Sequence, residues 1–534
     1  MKSFDTLSVM LDMSRNAVMN VDSLKNYISI ISKMGYNALF LYTEDTYEVE
    51  DAPYFGYMRG GYSADELREI DAYAAERGIE IVPCIQTLAH LETISRWDKF
   101  PMDTPDILLA DDDRTYELID KMFSTLKKCL KTRRIHVGLD EAHNLGRGKH
   151  LDTYGYEEAS AIMRRHLNRV LEIAKKHGYE IMAWSDMFFR FWNKGKYIIP
   201  KTEVPKEYRD IIPPEVIPVH WDYDITVESR LSDMIENHRQ LSDKTWYAGG
   251  IQTCSGLIPH LGYSIKSMTN AINVAKRMNV RNIMITIWGD NGGECSRYST
   301  MPALYYIAQY AKGVTDREKI AAGFERAFGI PFDSYLLLDS PNGIAPSKKR
   351  VGLPCNPSKY MLYSDPFLGY LDYTVADGSY EFYLEKEQLL FDVARSSRRY
   401  GYLFDSAAKL CALLKYKYSL GKRTREAYRA DDREALRRLA EHDYSEASRA
   451  LRSFINAFEK QWMKENKPYG FEVQDIRLGG VQRRLDSCRK RILAYLDGKL
   501  DSIPELEKEI LPFGEEQCSI YYHRYHKIST PNVL

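Results

Sequence analysis

The sequence predicts an α/β fold, a (β/α)8 TIM barrel followed by a C-terminal α-helical domain. Three observations carry this. Eight short β-branched runs alternate with amphipathic helical stretches through residues 1–312. No G-x-G-x-x-G opens the first turn, as a doubly wound sheet would prefer. From about residue 380 to 511, Leu, Ala and aromatic residues recur at three- and four-residue steps.

The strand candidates are 8–14 (SVMLDMS), 38–45 (ALFLYTED), 79–87 (IEIVPCIQT) and 134–142 (RIHVGLDEA), then 180–187 (EIMAWSDM), 216–223 (VIPVHWDY), 245–252 (TWYAGGIQ) and 282–290 (NIMITIWGD). Helical patterns such as VDSLKNYISIISKMG and SADELREIDAYAAERG separate them, each with Asp or Ser near its start and Gly at its end. Near residue 340 the texture changes, and DSPNGIAPSKKRVGLPCNPSKY, rich in Pro, Gly and Lys, reads as a linker. The expected organisation is a catalytic barrel over 1–335, a linker or loop region over 336–379 and a helical domain over 380–534.

Composition narrows the function. With 74 Lys and Arg against 75 Asp and Glu, the net charge of −1 gives no field that would recruit nucleic acid or an acidic membrane. The basic runs of the helical region alternate with acids and read as a solvated face. Eight Cys lie without C-x-x-C spacing, which reads as reduced thiols rather than a disulfide framework or zinc site. The N-terminal apolar run is short and broken by Asp12, and no run of eighteen apolar residues occurs. A cytoplasmic protein without a membrane partner is expected.

Barrel enzymes place chemistry at the C-terminal ends of the strands. Polar and aromatic residues gather there: Arg15, Glu44 and Asp45, His90, Asp140 and Glu141, Trp184 and Asp186, Trp221 and Tyr223, Trp288 and Asp290. Alternation along 135–140 turns Ile135, Val137 and Leu139 towards the helices and His136, Gly138 and Asp140 inward. Strand eight repeats it, with Met284, Thr286, Trp288 and Asp290 inward. Trp184, Trp221 and Trp288 then offer an aromatic floor that suits a pyranose face.

Asp140 and Glu141 are adjacent. A retaining glycosidase with a protein nucleophile needs two carboxyls about 5 Å apart on opposite sides of the anomeric carbon. Neighbours on one strand project from one wall. If Glu141 protonates the leaving oxygen, Asp140 suits another task, orienting a 2-acetamido group whose carbonyl oxygen attacks.

These residues resemble glycoside hydrolase family 20, the β-N-acetylhexosaminidases. HVGLDEAH is similar to that family's H-x-G-x-D-E signature, and VMLDMSRN, LYTEDTYE, QTLAHL, MAWSDM and TIWGDNGGECS match its strand-end motifs, so the resemblance covers roughly residues 5–315. The chain looks most like the small bacterial branch that lacks the N-terminal α+β domain. The resemblance implies an exo-acting, retaining enzyme without cofactor or metal. It implies that Asp140 orients the acetamide, Glu141 is the acid/base, and Tyr223 bonds the acetamide oxygen. His90 would support the acid through a relay with Asp45. Trp184, Trp221 and Trp288 would line the sugar pocket, with Arg15 and Asp290 on its hydroxyls. The implied partner is a glycan or glycoconjugate ending in β-linked N-acetylhexosamine; a homodimer is compatible with this reading.

Two departures stand out. The family's Arg before the first strand is missing from TLSVMLD, leaving Arg15 to take its place. The seventh strand reads AGGIQTCSGLIP, with Gln252 and Cys254 where relatives commonly carry Trp, which predicts a roomier and more polar pocket. Three other readings stay open: a glycosidase using Asp290 or Glu294 as nucleophile, a metal-dependent hydrolase drawing on His90, His136, Asp140 and His143, and a sugar-binding barrel without catalysis.

Overall fold

Thr6–Asp12 forms β1, with all seven residues buried, and in the computed structural model it pairs in parallel on both sides. Described are residues 4–254, 256–344, 355–511 and 524–534. Chain order continues through β2 (Ala38–Tyr42), β3 (Glu80–Cys84), β4 (Met102–Thr104), β5 (Ile107–Leu108) and β6 (Arg134–His136), then β7 (Glu180–Trp184), β8 (Ile217–Trp221), β9 (Trp246–Gly250) and β10 (Asn282–Ile287). β4 and β5 form a separate antiparallel ladder. The other eight close a barrel in the order β1-β2-β3-β6-β7-β8-β9-β10, with Thr6 opposite Asn282 and Leu11 opposite Ile287 at the closure. This is the (β/α)8 architecture that the alternation predicts.

Period-two side-chain alternation packs the barrel. Met10, Phe40, Val82, Met182, Val219, Ala248 and Met284 meet in one interior cluster with Tyr42, Cys84, Trp184 and Trp246. The intervening β1 and β10 residues Val9, Leu11, Ile283, Ile285 and Ile287 are also buried. The crossover helices carry the predicted stop and start signals. Asn20 caps Val21–Met34, which ends at Gly35 with φ 99°, where a residue without Cβ is favoured. Ser63 and Glu66 form a reciprocal capping box on Ala64–Ala75.

Strand four departs from expectation. The sequence suggests extension over 134–142, but β6 stops at His136, and Gly138 and Leu139 take left-handed backbone (φ 75° and 79°). Alternation therefore does not carry through to Asp140.

The chain packs as two compact units. One comprises Met1–Ile251, Ser264–Trp288 and Leu304–Thr315 and holds the barrel; the other comprises Gln252–Tyr263, Gly289–Ala303 and Asp316–Leu534. In the second, Ser379–Ser396, Gly401–Lys417, Tyr444–Glu465 and Phe471–Leu496 are the long helices. Gly401–Lys417 buries Leu403, Phe404, Leu410, Leu413 and Leu414 among its neighbours. Within 336–379, residues 345–354 lie outside the described residues, and Pro357–Tyr363 forms a buried helix. None of the described helices is long and apolar enough to cross a membrane.

Candidate active site

Left-handed backbone recurs behind the barrel strands that carry the acids and their neighbours: Glu44 after β2, His90 after β3, and Leu139 and Glu141 after β6 (φ 46°, 56°, 79° and 53°). Such conformations are costly for L-residues and persist where surrounding contacts impose them, commonly at functional sites. At Gly138 the reason is steric as well. A Cβ there would sit 1.9 Å from Gln86 Oε1.

Gln86 occupies that space to hold Asp140. Its Nε2 donates to Asp140 Oδ1 at 2.7 Å and to the Tyr42 hydroxyl at 2.9 Å, and its Oε1 accepts the Leu139 N–H at 3.3 Å. His90 Nε2 lies 3.2 Å from Asp140 Oδ2 and 3.7 Å from Glu141 Oε2, so one imidazole faces both acids. Burial alone would push His90 down, but the Asp140 carboxylate outweighs it and raises His90 to about 9. Burial opposes ionisation of Asp140, yet His90 and the Gln86 amide hold its carboxyl below the ordinary range. The result is a buried, ionised acceptor one residue from the half-exposed Glu141 carboxyl.

Asp186 anchors the backbone of this turn. Its Oδ2 accepts the Glu141 N–H at 3.1 Å and Arg190 Nε at 3.0 Å, and its Oδ1 accepts Trp221 Nε1 at 3.4 Å. Burial, then the neighbouring Asp140, raises Asp186 to about 7. The sequence predicts a strand-end place for Asp186 but no role, and does not single out Gln86. Their signal was parity: Gln86 follows Cys84, and Asp186 follows Trp184, two residues beyond inward-facing strand ends.

Arg15 lies between Asp12 and Glu44, 3.2 Å from each, with its guanidinium 5.0 Å from the Tyr42 ring centre and 5.3 Å from that of Trp288. Asp45, expected in a relay with His90, instead pairs with Arg59 Nε at 3.3 Å. Glu44, two residues beyond the inward-facing Tyr42 and bonded to its hydroxyl, is a further buried carboxylate acting on His90. His136 packs on Trp184 with ring centres 4.4 Å apart, and burial lowers it to about 3, so it is a neutral core residue.

The three tryptophans do not form one plane. Trp184 is buried in the barrel interior, and half-buried Trp288 lies 6.1 Å from it and 4.7 Å from Tyr42. Trp221 packs against the same interior cluster as Trp288 and stacks on Tyr223 at 5.5 Å with an interplanar angle of 16°. Tyr223 Cδ1 lies 3.0 Å from where a Cβ on Gly250 would be.

Gln252 and Asp290 lie in the second compact unit. Gln252 is buried, its carbonyl accepting the His260 N–H at 2.9 Å and its Oε1 lying 3.4 Å from Cys254 Sγ. Ser255 of the same motif lies outside the described residues. Asp290 is exposed. Glu294, weighed as a nucleophile, is buried and bonded to Lys359 Nζ at 2.7 Å, Arg477 Nη1 at 3.1 Å and the Tyr363 hydroxyl at 3.1 Å. Such a carboxylate is neutralised and turned away from solvent. Among the described residues, no group of three or more His, Cys, Asp and Glu is placed to hold a metal ion.

Residues 6–207 match the model of the glycosyl hydrolase family 20 catalytic domain, and residues 333–520 that of the glycoside hydrolase 20C C-terminal domain. Asp140, Glu141 and Trp184 fall inside the first match; Trp221, Tyr223, Gln252, Trp288 and Asp290 fall outside both. Human hexosaminidase D is 22% identical over 304 residues, 53% of this chain and 60% of that protein. Beta-hexosaminidase 3 of Arabidopsis thaliana is 27% identical over 211 residues, 36% of this chain and 38% of that protein. The alignment thus spans less than two thirds of either relative. Among solved structures, the family 20 exo β-N-acetylglucosaminidase of Vibrio harveyi is 15% identical over 63% of this chain and 58% of that one, with a TM-score of 0.48. The Streptomyces coelicolor A3(2) β-N-acetylhexosaminidase is 19% identical over 61% and 70%, with a TM-score of 0.46.

Proposed function

The chain belongs to glycoside hydrolase family 20, and from that premise we propose that it is an exo-acting, retaining β-N-acetylhexosaminidase that removes terminal β-linked GlcNAc or GalNAc. The nucleophile in this reading is the substrate's own 2-acetamido oxygen. One observation carries it: Asp140 is fixed as an ionised acceptor by Gln86 and His90, one residue from Glu141. An acceptor so held suits the acetamide N–H, whose alignment drives the carbonyl oxygen onto the anomeric carbon.

Bond changes follow in order. The acetamide oxygen forms a bond to C1 while the glycosidic C1–O bond breaks. Glu141 gives its proton to the departing oxygen and then takes one from the water that reopens the oxazolinium ring. His90, facing both acids, keeps Asp140 anionic and positions Glu141. Tyr223 is assigned to the acetamide oxygen, Arg15 to sugar hydroxyls, and Trp184, Trp221 and Trp288 to the apolar pocket walls; the sugar-binding roles of Asp290 and Gln252 rest on the sequence motifs alone. Asp45 acts at one remove by holding Arg59. The seven described free thiols suit the reducing cytoplasm.

The test is a panel of aryl β-glycosides with and without the 2-acetamido group, with chelator present. Turnover that depends on the acetamide and ignores the chelator supports the reading. A thiazoline mimic of the cyclic intermediate should inhibit far more tightly than the product sugar. A sugar ester trapped on Asp290 and detected by mass spectrometry would replace this mechanism with one using a protein nucleophile.

A further inference from the structure

We propose that Tyr54, Tyr57 and Trp97 form a stacking platform for the aglycone-side sugar rings of an oligosaccharide substrate; the proposal rests on the hexosaminidase reading. The three rings form a triangle with centres 5.5–6.4 Å apart and planes inclined by 48–72°, so each offers its own face or edge to a ligand and they share no single plane. Tyr54 and Tyr57 are 41% and 48% exposed, and Lys99 Nζ lies 5.6 Å from the Tyr54 ring centre. Single exposed apolar residues are ordinary, but a cluster of three large rings leaves apolar surface in water that a ligand would cover. Tyr and Trp present flat apolar faces with polar edges and few torsions to freeze, which suits the C–H face of a pyranose.

Its place identifies the occupant. Tyr54 and Tyr57 stand on the loop after β2, and Trp97 on the loop after β3, both at the end of the barrel that carries the acids. The first loop is compact, its ends joined by a bridge between Tyr47 and Tyr62. It presses so closely on the strand end that a Cβ on Gly56 would fall 1.9 Å from the Asp45 carbonyl oxygen, and one on Gly61 would fall 2.7 Å from the Thr46 carbonyl carbon. Arg59 ties it to Asp45, to Asn16 and to the Ser14 carbonyl. Beneath it the Tyr47, Phe55 and Phe100 rings support one another at 5.4 and 6.3 Å. The second loop also carries His90, 3.7 Å from Glu141. The platform therefore belongs to the loops on the acid's side, and the acid's side is where the leaving group departs. In an exo-acting enzyme the rest of the glycan leaves the pocket there.

The experiment compares kcat/KM for the β-linked N-acetylhexosamine tetrasaccharide with that for the methyl glycoside of the same sugar, in the wild type and in Tyr57→Ala, Trp97→Ala and the double variant. The wild type should favour the tetrasaccharide, and the double variant should lose about tenfold of that preference. An unchanged ratio overturns the proposal, whether or not absolute rates fall. So does a wild type without length preference. If the wild type cleaves neither sugar, the hydrolytic reading fails on its own, and the platform is judged by calorimetric titration of the tetrasaccharide; Kd should weaken about tenfold in the double variant. Sedimentation of the same variants covers the competing occupant: a change in oligomeric state with an unaltered substrate ratio assigns the rings to a subunit interface instead.

Discussion

At the scale of single residues, the opposed shifts of His90 and Asp140 make a measurable pair. His90 is raised from 6.5 to about 9, so its contribution to stability is full below pH 6.5 and is lost as pH rises through about 9. Asp140 is depressed, so its contribution is present above its unfolded value of 3.8 and is lost as pH falls below it. Imidazole NMR should therefore show His90 titrating near 9. In Asp140→Asn only burial and weaker neighbours remain, and the titration should fall by more than one unit; no movement would detach His90 from Asp140. Glu141→Gln should cost turnover about two to four orders of magnitude, most severely with poor leaving groups. Near-normal hydrolysis of a poor leaving group would take Glu141 out of the mechanism. Gln252→Trp should shift the GlcNAc-to-GalNAc ratio of kcat/KM by about tenfold, since one pocket contact is worth roughly 1–3 kcal/mol. A shift below twofold with activity intact would mean that Gln252 does not set specificity.

At the scale of elements, the turn after β6 deserves its own test. The strand ends at His136, and the left-handed residues beyond it, with Gln86 filling the space beside Gly138, aim Asp140 at its donors. Gly138→Ala combines a positive φ with a collision against Gln86 and should cost about 1–3 kcal/mol, read as a lowered Tm. It should also cost rate, because Gln86 must move away from Asp140. An unaltered Tm and rate would show that the turn is not built on this fit. Alternation in IVPCIQT and MAWSDM made the inward parity of Gln86 and Asp186 legible. The direction of Asp140 was not legible on the same ground, because left-handed Gly138 and Leu139 stand between its strand end and Asp140. Nor was the partner of Asp45, because Arg59 is brought to it by the returning loop, 14 residues along the chain.

At the scale of the whole molecule, Glu294, Lys359 and Arg477 show distant parts of the chain meeting as buried charge in the second compact unit. Removing one partner of a buried ion pair typically costs about 3–5 kcal/mol, because the other is left uncompensated. Lys359→Met should show a loss of that order in denaturant unfolding, and Glu294→Gln combined with it should recover part of the loss. Equal losses in the single and double variants would contradict the pairing.

The sequence by itself determined the barrel, the helical region after it, the acid pair and the family, since these rest on periodicity and on motifs local in the chain. Tertiary structure decided which side chains engage: His90 against both acids, Gln86 and Asp186 behind them, Asp45 turned to Arg59, and Glu294 drawn into a buried ion pair. Those outcomes depend on backbone turns and on partners up to 183 residues apart, and no local pattern encodes them.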